Sequence, residues 1–346
     1  MTGDGLRNLI TDVPGLAVGN AEDEAARTGV TVILPDSRVA AAVDVRGGAP
    51  GTSETDALDP INLVGTLDAV VLAGGSVYGL EAASGVTAWL GAKGRGYVLA
   101  AGAPAAPLVP AAILFDLVNG GDKHWGAEPP YRRLGIAAAE SAATDFALGN
   151  AGAGYGAMAG AYKGGLGSVS ARVAGGFVVG ALVAANPVGS PVIPGTATLW
   201  AHLFERHGEL GHQTPPRGPI DWDDGFPPDT KLSARGGTRP GANTTIGVVA
   251  TDAALSGAEL KRVAIMAQSG YARAVRPIHS PFDGDTVFAI ATGVRALTEP
   301  REFAVALIGH AAADCAARAL ARGVYEARTL GSMPAYRDLM REGEPP

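Results

Sequence analysis

The stretch that decides the reading is PGANTTIGVVATD, residues 240–252. A Pro- and Gly-rich run ends there, and Ile246–Ala250 follow as an apolar segment that reads as a buried strand. Between them, Asn243-Thr244-Thr245 put a turn-forming amide and two adjacent hydroxyls at the strand's mouth. One reading is conformational: Asn makes the turn, and threonines favour extended backbone. Asn-x-Thr is also formally a glycosylation sequon, which a cytoplasmic chain would not use. The other reading is chemical. Thr244 attacks the carbonyl of Asn243, an ester forms, and hydrolysis releases a new N-terminus at Thr244. One residue then carries both a hydroxyl nucleophile and an α-amine, whose reference pKa of about 7.7–8.0 suits a base at neutral pH. These three residues alone leave both readings open.

Composition narrows the setting. The chain has 346 residues, 47% hydrophobic and 18% charged, enough to bury a large core as one large unit or two smaller ones. Net charge is −7 with no block of Lys or Arg, so neither nucleic acid nor an anionic membrane is expected as a partner. A single cysteine, Cys315, excludes an internal disulfide framework and a Cys-based zinc site. The N-terminus MTGDGLRNLITDVPG lacks a basic-then-apolar pattern, so a cytoplasmic location without a signal peptide is expected. Residues 97–115, and the run from Val173 through ANPVGSPVIPGTATLW, are uncharged but interrupted by Pro104, Pro107 and Pro110 and by Pro187, Pro191 and Pro194. They read as buried strands with tight loops, since a spanning helix needs about 20 mostly unbroken apolar residues.

Apolar runs predict strands at 29–35, 38–45, 69–74, 97–101, 170–186 (two strands), 245–252 and 286–293. Helices are predicted at about 77–92, 134–147, 256–272 and 301–327; Ser256 and Glu259 form a capping box at the third. Without a regular βαβ rhythm, the pattern predicts layered α+β with helices outside sheets. Residues 187–240, rich in Pro, Gly and Asp, separate a large N-terminal portion from a compact C-terminal one, and a loop of that length is often functional. No solenoid or propeller repeat is present.

Four further motifs carry residues capable of chemistry. HLFERHGELGH (202–212) lacks H-E-x-x-H, and the five-residue step from His202 to His207 turns a helix by about 140°, so a solvated helix end is expected rather than a metal site. LAGGSVYGLEAASG (72–85) is neither a dinucleotide fingerprint nor a phosphate loop, and Ser76 fails the G-x-S-x-G elbow because Tyr78 takes the second glycine position. NAGAGYGAMAGAYKGGLGS (150–168) holds one lysine, Lys163, which is either a surface residue or, in a desolvated cleft, an electrostatic tool. HSPFDGDTVFAIATG (279–293) sets Asp283 and Asp285 just before an apolar strand, with both carboxylates on one side of an extended segment. An Asp-Gly-Asp turn is the competing reading, and a calcium loop would need more oxygen ligands.

Taken together, several stretches resemble one family. PGANTTIGVVATDAALSGAELKRVA (240–264) and ARAVRPIHSPFDGDTVFAIATG (272–293) are closely similar to the self-cleaving DmpA-type aminopeptidases and nylon-oligomer hydrolases. AVDVRGGAPGTSETD (42–56), AGGSVYGLEAASGV (73–86), the glycine stretch ending at Lys163 and AANPVGS (184–190) match the same family in the same order. The resemblance implies a single αββα sandwich of the DmpA and ornithine-acetyltransferase type over 1–346. It implies autocleavage into 1–243 and 244–346, no cofactor or metal, a small peptide or amide-oligomer substrate, and a homo-oligomer, usually a tetramer of such pairs. Carried over by position, it makes Asn243–Thr244 the cleavage site and Thr244 the nucleophile. Asp283 and Asp285 become the acidic pair that orients it. Asn186 becomes an oxyanion or amine partner, Lys163 a cation that keeps nearby carboxylates ionised, and Tyr78 a substrate-binding tyrosine. Thr with two aspartates is more similar to the nylon-oligomer hydrolase branch, since the aminopeptidase branch has Ser and a Ser-x-Glu pair. An ornithine-acetyltransferase-like acyltransferase and an uncleaved scaffold are the competing expectations.

Overall fold

A computed structural model describes residues 5–220, 225–234, 243–297 and 299–342. Its strands are β1 (Leu16–Asp23), β2 (Thr28–Pro35), β3 (Val39–Val45), β4 (Thr52–Ser53), β5 (Thr66–Leu67), β6 (Val70–Ala73), β7 (Ala111–Ile113), β8 (Met158–Ala159), β9 (Tyr162–Lys163), β10 (Gly165–Arg172), β11 (Val178–Asn186), β12 (Thr244–Ala253) and β13 (Thr286–Arg295). The helices are α1 (Glu81–Ala92), α2 (Tyr131–Glu140), α3 (Lys231–Ala234), α4 (Gly257–Ala274), α5 (Arg301–Glu326) and α6 (Tyr336–Glu342).

Alternation along the strands sorts these elements into layers. In β12, Ile246, Val248 and Ala250 pack with Ile33, Val70 and Leu72 of another sheet, while Val249 and Ala253 pack with α4 and α5. Phe288 and Ile290 of β13 face the inter-sheet core, and Val287, Ala289 and Ala291 face the helices. On the far side, Val30, Val32, Val71 and Ala73 pack against α1 and α2. Three apolar cores therefore separate four layers, helix–sheet–sheet–helix, as the period-2 pattern of two-sided buried strands requires. The layered α+β expectation stands.

The five-stranded sheet runs β1-β2-β6-β7-β4 and the six-stranded sheet β10-β11-β12-β13-β3-β5. Each contains one parallel pair: β6–β7, joined through α1, and β12–β13, joined through α4. Parallel neighbours need a crossover, and both helices serve as one. Two crossovers are embedded in otherwise antiparallel sheets, so no repeating βαβ rhythm shows in the sequence. Residues 97–101 are not a strand. Tyr97 makes one isolated bridge to Ala106, while Val98 and Leu99 are exposed. Helix α2 covers 131–140 rather than 134–147, because Ala143 turns back to bridge Val18. Among the described residues α5 is the one helix long and apolar enough to cross a membrane, and 78% of its apolar window is buried inside the molecule. Of the irregular 187–240 segment, 221–224 and 235–240 lie outside the described residues.

Candidate active site

The mouth of β12 gathers Asn243, Thr244, Asn186, Asp283 and Asp285. Thr244 is the strand's first residue and is buried, as are Asn243 and Thr245. Antiparallel register sets Asn186, the last residue of β11, opposite Thr244. Parallel register pairs Ile246 with Thr286, which brings the turn before β13 alongside Thr244 and Thr245. Asp285 Oδ1 accepts the Thr245 N–H at 2.8 Å. The Thr244 hydroxyl donates to the carbonyl oxygen of Asn243. Gly284 is the only residue type that this approach admits: a Cβ there would lie 2.7 Å from Thr244 Oγ1 and 2.7 Å from the Ala49 carbonyl oxygen.

Asp283 and Asp285 are fully buried, and every carboxylate oxygen has a donor. Asp283 accepts the Val188 N–H at 3.0 Å, the Ser280 N–H at 3.2 Å and the Ser280 hydroxyl at 2.5 Å. Asp285 Oδ2 accepts the His279 N–H at 3.0 Å, with His279 Nδ1 at 2.8 Å. Burial pushes the Asp283 carboxyl up to about 6, and the neighbouring Asp285 charge adds to this. Hydrogen bonds from Ser280 and Val188 and the charge of Lys231 oppose the rise. The stretch after β3 cradles the pair from behind: Arg46 N donates to the Asp285 carbonyl at 2.9 Å and Ala49 N to the Asp283 carbonyl at 2.8 Å. At Gly47 a Cβ would stand 2.3 Å from Asp285 N, so the backbone can pass there only as glycine.

On the opposite side, Asn243 and Asn186 line a cleft of about 50 Å³ together with Phe115, Asp116, Met158 and Lys231. Asn186 Oδ1 accepts from Met158 N at 2.9 Å and Lys231 Nζ at 3.1 Å, and its Nδ2 donates to the Phe115 carbonyl at 3.2 Å. The Asn243 carboxamide is buried with no hydrogen-bond partner among the described residues. Lys163 is fully buried, and its ammonium donates to the carbonyls of Gly154 (3.0 Å) and Gly164 (2.6 Å). Burial pulls its pKa down to about 7 against the attraction of Asp116. The carboxylate that Lys163 faces is thus Asp116, itself buried, pushed up by desolvation, and held by Thr28 Oγ1 (2.6 Å) and Gly75 N (2.8 Å). Tyr78 is half-exposed on a 3-10 turn, edge-to-face with Trp125 at 5.7 Å, and is not among the cleft's lining residues.

Sequence reasoning missed Lys231, Asp116, His279 and Ser280. The last two stand in the quoted HSPFDGD, whereas Lys231 is a single lysine in a Pro-, Gly- and Asp-rich segment and carries no local signal. In HLFERHGELGH the acids do structural work. Glu205 accepts from the N–H groups of Leu210, His212 and Gln213, and Glu209 pairs with Arg318. Among the described residues no cluster of three or more His, Cys, Asp or Glu side chains is placed to hold a metal. A larger cleft of about 810 Å³ runs along α2, between Asp23, Trp125 and Arg132, and shares no lining residue with the Thr244 site.

Comparison with known proteins gives a consistent set of relatives. Residues 8–335 match the profile of Peptidase family S58. An uncharacterized aminopeptidase of Mycobacterium tuberculosis is 44% identical over 350 residues, covering 96% of this chain and 98% of that protein. The 6-aminohexanoate-oligomer endohydrolase of Kocuria sp. is 33% identical over 302 residues, covering 83% and 76%. Among solved structures, a Burkholderia beta-aminopeptidase superposes with a TM-score of 0.67 at 25% identity over 99% of this chain and 96% of that one. The L-aminopeptidase D-Ala-esterase/amidase of Ochrobactrum anthropi, described as a variant of the Ntn hydrolase fold, shares the fold with a TM-score of 0.67 at 22% identity, covering 97% and 94%.

Proposed function

Since the chain belongs to peptidase family S58 and is an amide-bond hydrolase, we propose that its nucleophile is the Thr244 hydroxyl, freed by cleavage of the Asn243–Thr244 bond within the chain itself. The observation that carries this reading is the buried Thr244 hydroxyl hydrogen-bonded to the carbonyl of Asn243, at the mouth of a strand whose next residue is held by the buried Asp285 carboxylate.

In self-cleavage, Thr244 Oγ1 bonds to the Asn243 carbonyl carbon, the C–N bond breaks, and the hydroxyl proton ends on the departing nitrogen. Water then hydrolyses the ester, leaving a carboxylate at Asn243 and a free amine and hydroxyl at Thr244. With substrate, the same hydroxyl attacks an amide carbonyl, the Thr244 amine takes the proton and passes it to the leaving amine, and water clears the acyl-enzyme. Asp285 holds the backbone at Thr245, so the nucleophile starts from one position. Asn186, set opposite Thr244 by the sheet register and lining the cleft with Asn243, offers its remaining amide hydrogen to the developing oxyanion. The substrate class is a short peptide or an amino-acid amide oligomer, by analogy with the relatives.

Intact-mass spectrometry tests the reading. Wild-type protein should give fragments of about 24 and 10 kDa at average residue mass, the smaller beginning at Thr244. Thr244→Ala should stay full-length and hydrolyse no amide. A Thr244→Ala protein that still splits or still turns over amides would overturn the assignment.

A further inference from the structure

Resting on that reading of Thr244, we propose that Lys231 is a positioning residue of the hydrolytic site, fixing the 186–188 segment beside Asp283. Lys231 is buried at the start of α3, in a part of the chain where the sequence offers no motif. Its ammonium donates to both the backbone carbonyl and the side-chain Oδ1 of Asn186, each at 3.1 Å. This double contact sets the carboxamide with its oxygen toward Lys231 and Met158 N, and its NH₂ toward Phe115. Lys231 also acts through its backbone. Its N–H donates to the Val188 carbonyl at 3.0 Å, and the Val188 N–H in turn donates to Asp283 at 3.0 Å. One residue thus braces the segment that carries the residue facing Thr244 and a donor to Asp283.

The charge has a second consequence. Asp283 is faced by Asp285 on its own turn, which repels it, and by Lys231 on α3, which attracts it. His279 sits on Asp285, Asp116 shares the cleft, and Lys163 is engaged by backbone carbonyls and faces Asp116. Lys231 therefore adds its charge to the hydrogen bonds from Ser280 and Val188 that help Asp283 hold its own. Removing it makes Asp283 bind its proton more tightly, so any step that needs the ionised carboxylate loses rate as pH falls at a higher pH than before.

Self-cleavage supplies a readout that needs no knowledge of the substrate. Full-length precursor made by cell-free translation would be shifted to buffers between pH 5 and 8 and the appearance of the Thr244 fragment timed. The comparison takes wild type, Lys231→Met, Lys231→Gln and Lys231→Arg. Both uncharged variants should cleave about five-fold more slowly at pH 6, with the acid limb about one pH unit higher, and Lys231→Arg should return the limb to the wild-type position. A merely structural role would lower the yield of cleavable protein without moving the limb. If Lys231→Met does not fold, Lys231→Gln, which keeps a donor toward Asn186, carries the comparison. Normal wild-type cleavage with coincident acid limbs in wild type and Lys231→Gln overturns this proposal alone. A wild-type chain that never yields the Thr244 fragment overturns the Thr244 assignment and this proposal with it.

Discussion

At Gly284 the site is decided by one missing methyl group. Its Cα faces Thr244 Oγ1 so closely that a Cβ would stand 2.7 Å away, with the Ala49 carbonyl as close on the other side. Gly284→Ala must push the Thr244 hydroxyl or the 46–49 backbone aside. Overpacking of this kind costs about 1–3 kcal/mol, and a displacement near 1 Å at a reacting centre costs about a hundred-fold in rate. The variant should fold, melt a few degrees lower, and show self-cleavage slowed about a hundred-fold; cleavage at the wild-type rate by mass spectrometry would refute the packing argument. Asp283, one residue earlier, ties the site to pH. Its carboxyl stands at about 6 in the folded chain, above the 3.8 of an ordinary aspartate. The stability it contributes is present below that unfolded value and is lost as pH rises through about 6. Melting temperatures of wild type and Asp283→Asn, compared at pH 4 and pH 7, should differ more in favour of the variant at pH 7. A difference that is flat or of opposite slope would contradict the buried, charge-repelled state of Asp283.

Among the elements, α4 separates stability from chemistry. Ser256 accepts the Glu259 N–H and Glu259 reaches back to the Ser256 N–H at 2.7 Å, closing the capping box that the sequence announced. Ser256→Ala should cost about 1 kcal/mol in chemical denaturation while leaving the rate of self-cleavage unchanged, because the cap lies at the opposite end of α4 from the turn that leads to Asp283. A change in cleavage rate would mean that the cap reaches the site. The same helix shows what a sequence can disclose. Strands buried on both faces announce themselves as apolar runs, so β2, β3, β6, β11, β12 and β13 were legible to within a residue or two. Strand β10 starts at Gly165 rather than 170, because Ser168 and Ser170 are buried polar residues whose partners, Ile10 N, the Ala181 carbonyl and Asp12, come from remote segments. Tyr97–Ala101 reads as a strand but has no partner strand, and an apolar run without a ladder stays a loop. The site follows the same division. Thr244, Asp283, Asp285 and Asn186 stand at strand ends and belong to motifs. Lys231 and the Arg46–Ala49 cradle act through tertiary approach and backbone N–H groups, which no local pattern encodes.

Over the whole molecule, the strand order determines what cleavage at Asn243–Thr244 can release. The six-stranded sheet reads β10-β11-β12-β13-β3-β5. Its two middle strands, β12 and β13, would belong to the 244–346 fragment, and the strands on both flanks to 1–243. Helix α5 of the smaller fragment packs over β10 and β11 of the larger one. A buried ion pair adds a tie: Arg318 on α5 grips Glu209, with Nη2 to Oε2 at 2.7 Å, and Asn8 donates to the same carboxylate and accepts from Arg318. Burial alone would push the Glu209 carboxyl up, but the Arg318 hydrogen bond and charge outweigh it and hold the group below the 4.5 of an ordinary glutamate. That contribution is present above the unfolded value and lost as pH falls through the folded one. Separating the fragments would require tearing two strands from the middle of a sheet and breaking the Arg318–Glu209 pair. The cleaved protein should therefore run as one species in gel filtration at neutral pH, with its fragments parting only in denaturant or strong acid. Glu209→Gln, which strands the buried guanidinium, should cost about 3–5 kcal/mol and let the fragments part at lower urea, while the Thr244 chemistry proceeds in whatever remains folded. Fragments that separate spontaneously at neutral pH, or a Glu209→Gln protein as resistant to urea as wild type, would show that the interleaved sheet and its buried tie do not hold the halves together.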